Sequence, residues 1–157
     1  MDDLRELYQE VILEHNRKPR NFRVLADASH EADGRNPLCG DELTLYARVE
    51  STGADGSDVI VEEVTFQGSG CAISKASASL MTDFVKGKSL KEVAADFDRF
   101  HELVTSSPSS PAETDGLGKL AVFSGVREYP MRVKCATLAW HALRAALENE
   151  GETAKTE

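Results

Sequence analysis

The chain has 157 residues, enough for one domain with a buried core, and its formal net charge at pH 7 is -9. An acidic surface repels polyanions, so this charge argues against nucleic-acid binding through phosphates. No apolar run reaches the roughly 20 residues of a membrane span, and the acidic N-terminus lacks the basic and apolar regions of a signal peptide. We therefore expect a cytoplasmic protein with no nucleic-acid or membrane partner.

The first half of the chain predicts one helix followed by strands. Near the N-terminus, apolar residues recur at the 3.6-residue spacing of an amphipathic helix, which a proline stop at Pro19 ends. The polar stretch 28–36 could form an edge strand. Apolar and polar residues alternate over 42–50, and 59–66 is rich in β-branched residues, so both segments are predicted strands. The intervening residues 51–57 read as a turn.

The chain then changes to helical patterns. A helix is predicted to begin just after Cys71 and to end at Gly87. Ser89 and Glu92 have the spacing of a capping box, which predicts the start of a second helix. Its predicted apolar face includes Ala94. Strands followed by runs of helices, rather than βαβ alternation, indicate an α+β fold: a small antiparallel sheet of about three strands, with helices covering one face.

The remaining segments set the predicted domain organisation. Residues 105–118 are rich in Ser, Pro and Gly and form an unusually long loop for a compact domain. A short apolar piece at 117–122 precedes an Ala/Leu-rich final helix at 133–147. We expect a single domain over 1–147, with the long loop inserted in it, and a flexible C-terminal tail over 148–157.

The chain has three cysteines, an odd count, and a structural disulfide is improbable in a reducing compartment. Cys39 stands in a turn made by Asn36-Pro37 and Gly40, and Gly40 alone separates it from Asp41. Such a turn can direct the thiolate and the carboxylate to one metal ion. Alternatively, Asp41 accepts hydrogen bonds from the backbone amides of its own turn.

The other two cysteines also have two interpretations each. Cys71 follows a Gly-Ser-Gly turn and precedes a helix, whose N-terminus favours the thiolate; the alternative is a passively buried thiol in a tight turn. Cys135 lies at the start of the predicted last helix, where Arg132 and Lys134 also favour the thiolate. The alternative for Cys135 is a core position on the inner face of that helix. Three thiolates and one carboxylate suit Zn²⁺, although the paired C-x₂-C spacing of many structural zinc sites is absent.

These cysteine contexts resemble the three motifs of the IscU/NifU superfamily: NPLCGD at 36–41, GSGCAIS at 68–74 and VKCATL at 133–138. LYQEVILEH at 7–15 and PRN at 19–21 are also similar to the family, so the resemblance spans nearly the whole chain. The SufU branch is the closer match. Lys134 stands where scaffold-type IscU proteins carry histidine, and the long loop at 105–118 is typical of SufU proteins. The resemblance implies a SufE/NifU/IscU-like fold.

The resemblance also implies a zinc site formed by Cys39, Asp41, Cys71 and Cys135. It implies a zinc-dependent sulfur carrier or sulfurtransferase that accepts persulfide sulfur on Cys39 from a SufS-type pyridoxal-phosphate cysteine desulfurase. The sulfur would pass to a downstream Fe–S scaffold or another acceptor. We expect a histidine of the desulfurase to replace Cys39 on zinc.

Within the same site, Arg132 and Lys134 are candidates for guiding the thiolate; the alternative is that they are solvated cations at a helix start. Three other functions stay open: an IscU-like scaffold that holds a transient Fe–S cluster, an adaptor that activates a desulfurase without carrying sulfur, and a metal-free domain. The histidines are weaker ligand candidates: His15, His30, His101 and His141.

Overall fold

A computed structural model describes the chain over residues 2–37, 40–52, 58–148 and 154–155. Leu38 and Cys39 therefore lie outside the described residues, as does most of the C-terminal tail. The elements follow in the order α1 (Asp2–Arg17), β1 (His30–Asn36), β2 (Asp41–Thr52), β3 (Asp58–Ser69), α2 (Ala72–Val85), α3 (Leu90–Thr105), a 3-10 helix (Gly118–Glu128), α4 (Pro130–Leu147) and β4 (Ala154–Lys155).

The sheet has the strand order β3-β2-β1-β4. β2 pairs antiparallel with both β1 and β3, while β4 adds a two-residue parallel pairing to β1. On β2, Leu43, Leu45 and Ala47 are buried, because alternate side chains of a strand point to the same face. The prediction of an α+β fold built on three antiparallel strands is confirmed.

The helices cover one face of this sheet, and α4 is the central one. It packs against β1, β2 and α2, and its side chains from Cys135 to Trp140 are all buried. Small residues allow the close approach: a Cβ added at Gly34 of β1 would lie 3.2 Å from Ala142 Cβ. Each large apolar side chain buried in this core contributes about 1.5–3 kcal/mol. Among the described residues, no helix is long and apolar enough to cross a membrane.

The start of α4 differs from the prediction. The helix begins at Pro130, not at residue 133, because proline at the first helical position needs no hydrogen bond for its nitrogen. Cys135 therefore lies in the second turn of α4 and not at its start. The preceding apolar piece, predicted as short, extends as a 3-10 helix to Glu128 and buries Leu120 and Phe123.

The apolar face of α3 also differs from the prediction at two positions. Ala94, predicted to face the core, is exposed. Asp96 is buried instead, because Lys88 Nζ lies 2.7 Å from its carboxylate and supplies the opposite charge. The capping box of Ser89 and Glu92 is present as predicted.

The long loop after α3 is held by one arginine. The guanidinium of Arg127 donates to the carbonyl oxygens of Ser107 and Ser110, at 2.9 and 2.8 Å. Residues 106–117 form no helix or strand. The division into one domain over 1–147 and a flexible tail over 148–157 stays a prediction.

Candidate metal centre

Three segments meet at one end of the sheet: the start of β2, the β3–α2 junction and the second turn of α4. They carry Asp41, Cys71 and Cys135, respectively. The ligating atoms of these three side chains all lie within 4.8 Å of one another. We call these three residues the candidate metal centre.

Asp41 connects the β1–β2 hairpin to the start of α2. Its side chain is fully buried, and its Oδ1 accepts a hydrogen bond of 2.8 Å from the backbone N–H of Cys71. Its Oδ2 lies 3.9 Å from Cys71 Sγ. The carboxylate therefore binds an amide 30 residues away in sequence. The contact depends on Gly70, since a Cβ there would lie 2.5 Å from Asp41 Oδ1.

Cys71 is the N-cap residue of α2. Its Sγ accepts a hydrogen bond of 3.4 Å from the backbone N–H of Ser74, which satisfies one of the unpaired amides at the helix start. A hydrogen bond from Cys135 is the largest influence on the Cys71 thiol and lowers its pKa to about 7. Burial and the nearby Asp41 carboxylate act in the opposite direction. The lowered pKa favours the thiolate, which is the form that binds metal ions.

Cys135 combines both of its sequence interpretations. It is a core residue, with only 3% of its surface exposed, and its Sγ also belongs to the candidate metal centre. The side-chain amide of Asn36 donates from Nδ2 to this sulfur across 3.6 Å. The sequence patterns placed Asn36 at the end of a possible edge strand and in the turn before Cys39, with no role in the site. Its position directly before Pro37 in the NPLCGD motif was the available signal that it belongs to the site.

Three predicted site residues remain to be described: Cys39, Arg132 and Lys134. Cys39 lies outside the described residues; its neighbour Gly40 has a φ of +72°, a left-handed conformation that glycine adopts readily. The assignment of Cys39 as a ligand and sulfur acceptor stays a prediction. Arg132 is exposed, with its guanidinium 4.3 Å from the ring centre of Tyr129, and Lys134 is half-buried. Neither cation offers a metal ligand, and their roles in guiding the thiolate stay predictions.

The donor set fits a zinc ion. Thiolate sulfur and carboxylate oxygen are both donors that Zn²⁺ accepts, and three converging donors leave room for a fourth ligand. The charge of Asp41 also favours a bound cation, because a fully buried carboxylate needs a compensating charge. Within the described ranges, Asp41 forms no ion pair with a basic side chain. A divalent cation bound between Asp41, Cys71 and Cys135 would supply that charge.

Comparison with known proteins finds matches over most of the chain. The family model described as the NifU-like N-terminal domain matches residues 7–136. The zinc-dependent sulfurtransferase SufU of Bacillus subtilis strain 168 is 38% identical over 148 residues, covering 94% of each chain. The iron-sulfur cluster assembly scaffold protein IscU of Streptococcus pyogenes serotype M1 is 36% identical over 148 residues, covering 94% of this chain and 87% of that protein.

Solved structures show the same fold. A crystal structure from Fervidobacterium islandicum AW-1, described as an iron-sulfur cluster assembly scaffold protein for the SUF system, superimposes with a TM-score of 0.75. It is 31% identical and covers 90% of this chain and 97% of that chain. The similarity covers most of the chain, including the elements that carry Asp41, Cys71 and Cys135.

Proposed function

This chain belongs to the NifU-like N-terminal domain family, and we propose that it acts in iron–sulfur cluster assembly as a zinc-dependent sulfurtransferase. The observation that carries the proposal is the convergence of Asp41, Cys71 and Cys135 within 4.8 Å. The Bacillus relative, whose name states both zinc dependence and sulfur transfer, supports it over nearly the full length of both chains.

The metal would be held by Asp41, Cys71 and Cys135, with Cys39 as the fourth ligand. Bound zinc would link the start of β2, the β3–α2 junction and α4, and it would keep the thiolates ionised. Three thiolates and one carboxylate around Zn²⁺ carry a net charge of about −2, by counting the deprotonated ligands. We expect Arg132 and Lys134, close to Cys135 in sequence, to offset part of that charge.

The proposed sulfur acceptor is Cys39. Its thiolate attacks the terminal sulfur of a persulfide on a partner's cysteine, so that a new S–S bond forms on Cys39. The S–S bond in the partner breaks, and its cysteine leaves as a thiolate, so the exchange needs no external oxidant or reductant. The resemblance to the SufU branch implies that the sulfur donor is a SufS-type cysteine desulfurase that uses pyridoxal phosphate. The same exchange in the opposite direction delivers the sulfur to a downstream acceptor.

A scaffold for Fe–S clusters is the second candidate function. The Streptococcus relative named as an IscU scaffold is nearly as similar as the Bacillus sulfurtransferase, at 36% against 38% identity. The same thiolates could bind iron in place of zinc. Iron in the purified protein, with visible absorbance that survives aerobic purification, would favour the scaffold. Zinc without visible absorbance would favour the sulfurtransferase.

The decisive experiment follows sulfur onto the chain. The purified protein is incubated with the cysteine desulfurase and L-cysteine, and peptides are analysed by mass spectrometry without reduction. We expect one or more added sulfur atoms on Cys39 and none in a Cys39→Ser variant. If Cys39→Ser still stimulates the desulfurase and the wild type carries no persulfide, the protein is an adaptor and the transfer role is wrong.

A further inference from the structure

Asn36 is a buried side-chain amide whose nitrogen has a hydrogen-bond partner and whose oxygen has none within the described residues. It is the last residue of β1, its side chain is fully buried, and in the strand register it pairs with Asp41. Its Nδ2 donates to Cys135 Sγ across 3.6 Å. Its Oδ1 is buried and has no hydrogen-bond partner within the described residues.

The position itself favours an apolar residue. Along β1, exposed and buried residues alternate, and the other two buried positions hold Ala32 and Gly34, small residues that pack toward α4. Asn36 continues this inward series at the sheet end nearest the cysteines. A buried amide with an unpaired oxygen is less favourable than an apolar side chain of similar volume. Packing alone therefore does not explain an asparagine here.

The donated hydrogen bond offers an explanation. An N–H···S contact draws charge from a thiolate, which makes the sulfur less basic and less nucleophilic while leaving it able to bind a cation. Such contacts are present on both sulfurs: the backbone N–H of Ser74 donates to Cys71, and the side-chain amide of Asn36 donates to Cys135. The contact on Cys135 comes from a side chain and can therefore be removed by substitution, whereas the backbone contact from Ser74 cannot.

We propose that Asn36 is a positioning residue that makes Cys135 a retained thiolate ligand of low reactivity. Its amide holds the sulfur toward Asp41 and Cys71 and lowers its tendency to attack persulfides or alkylating agents. Persulfide chemistry is then confined to another cysteine of the site. This inference rests on the metal site of the proposed function. It adds that Cys135 is the sulfur that stays bound to the metal, because Asn36 holds it.

The test compares Asn36→Leu, which has a similar volume but no donor, with Thr65→Val as a matched control. Thr65 of β3 is also fully buried, and its Oγ1 also has no hydrogen-bond partner within the described part of the chain. Each variant is loaded with Co²⁺, and its sulfur-to-cobalt charge-transfer absorption is recorded. We expect a shift to lower energy in Asn36→Leu, because the thiolate becomes more electron-rich, and none in Thr65→Val.

Two further measurements separate a role at the metal from a role in folding. In the zinc-loaded protein, alkylation of Cys135 by iodoacetamide should be about 10-fold faster in Asn36→Leu. Zinc affinity measured against a chelator should be about 10–100-fold weaker, because the sulfur is no longer held toward Asp41 and Cys71. The metal-free variant should be as stable to heat as the wild type or more stable. If Asn36→Leu does not fold, Asn36→Ala is measured in the same way.

Several outcomes would overturn the inference. An unchanged cobalt spectrum with unchanged Cys135 alkylation would show that the amide does not act on the sulfur. If neither Asn36→Leu nor Asn36→Ala folds without metal, Asn36 serves the fold alone. If wild-type protein binds Co²⁺ without any thiolate band, the metal site of the proposed function fails; if the band is present and the variant matches it, only the role of Asn36 fails.

Discussion

Two regions of the molecule collect residue types that bind metals, and only one arranges their atoms around a point. In the candidate metal centre, a carboxylate and two sulfurs come within 4.8 Å of one another. Between α3 and α4, the rings of His101 and His141 lie 6.4 Å apart and pack on Phe97, with ring-centre distances of 6.1 and 5.4 Å. The histidines pack on an aromatic side chain, whereas the cysteines and the aspartate converge.

The two regions also differ in the charge state that they favour in their titratable side chains. Burial, followed by the nearby His101, lowers the pKa of His141, so its neutral form is favoured. A hydrogen bond from Cys135 lowers the pKa of Cys71 to about 7, so its charged form is favoured. One region removes charge from the interior, and the other accumulates negative charge that a cation can neutralise. Residue type is therefore a weaker indicator of a metal site than converging donors with a charge to balance.

The largest expected effect comes from removing the carboxylate charge. Asp41→Asn keeps an oxygen that can accept from Cys71 N–H but loses the negative charge, and we expect bound zinc to fall from about one ion per chain to near zero. The melting temperature should fall as well, because structural metal binding contributes to folding. Asp33→Asn, at an exposed aspartate of β1 that accepts from the Thr44 hydroxyl, is the matched control. Full zinc occupancy in Asp41→Asn would show that Asp41 is not a zinc ligand.

A smaller effect is expected when the carboxylate is only displaced. In Gly70→Ala the added Cβ would lie 2.5 Å from Asp41 Oδ1, so the carboxylate must move away from Cys71. We expect zinc affinity, measured by competition with a chelator, to fall about 10–100-fold. Gly125→Ala is the control, because its added Cβ meets only the Tyr8 ring at an ordinary 3.7 Å. Equal affinities in the two variants would show that the close approach at Gly70 does not matter for the metal.

The third prediction concerns the ionisation of Cys71 in metal-free protein. Because the thiolate is the reactive form, its alkylation rate should rise with pH and reach half its maximum near pH 7, instead of near the pKa of about 8.5 of a free cysteine. Cys135→Ala removes the hydrogen bond that contributes most and should move the profile to higher pH. Peptide mass spectrometry across a pH series measures this, and an identical profile in both proteins would contradict the assigned cause.

The smallest effects are expected at the histidine region. His101→Ala and His141→Leu should leave zinc content unchanged. Since the pKa of His141 is lowered in the folded state, the unfolded chain binds more protons below about pH 6.5, and stability falls as the pH decreases through that range. His141→Leu should reduce this loss without abolishing it, because burial also lowers the pKa of His15. Denaturant unfolding at pH 7 and pH 5.5 measures it; loss of zinc from either variant would overturn the contrast between the regions.

Much of the fold could be predicted from local patterns. Alternation marked β2, the capping box marked the start of α3, and the change from strands to helices indicated the α+β class. These features depend on neighbours a few residues apart, so the sequence displays them directly. The missed features have no such periodic signal: Asp96 is buried because the side chain of Lys88 pairs with it, and the 3-10 helix at 118–128 follows no strong period.

For the site, the sequence by itself determined which residues could bind a metal and that Cys71 stands at a helix start. Only the tertiary structure decided that Asp41 hydrogen-bonds the Cys71 amide, 30 residues away, and that Asn36 reaches the sulfur of Cys135, 99 residues away. The physical reason is that ligand convergence depends on how α4 packs against the sheet. That packing is set by the volumes of many core residues together, and no short motif contains it.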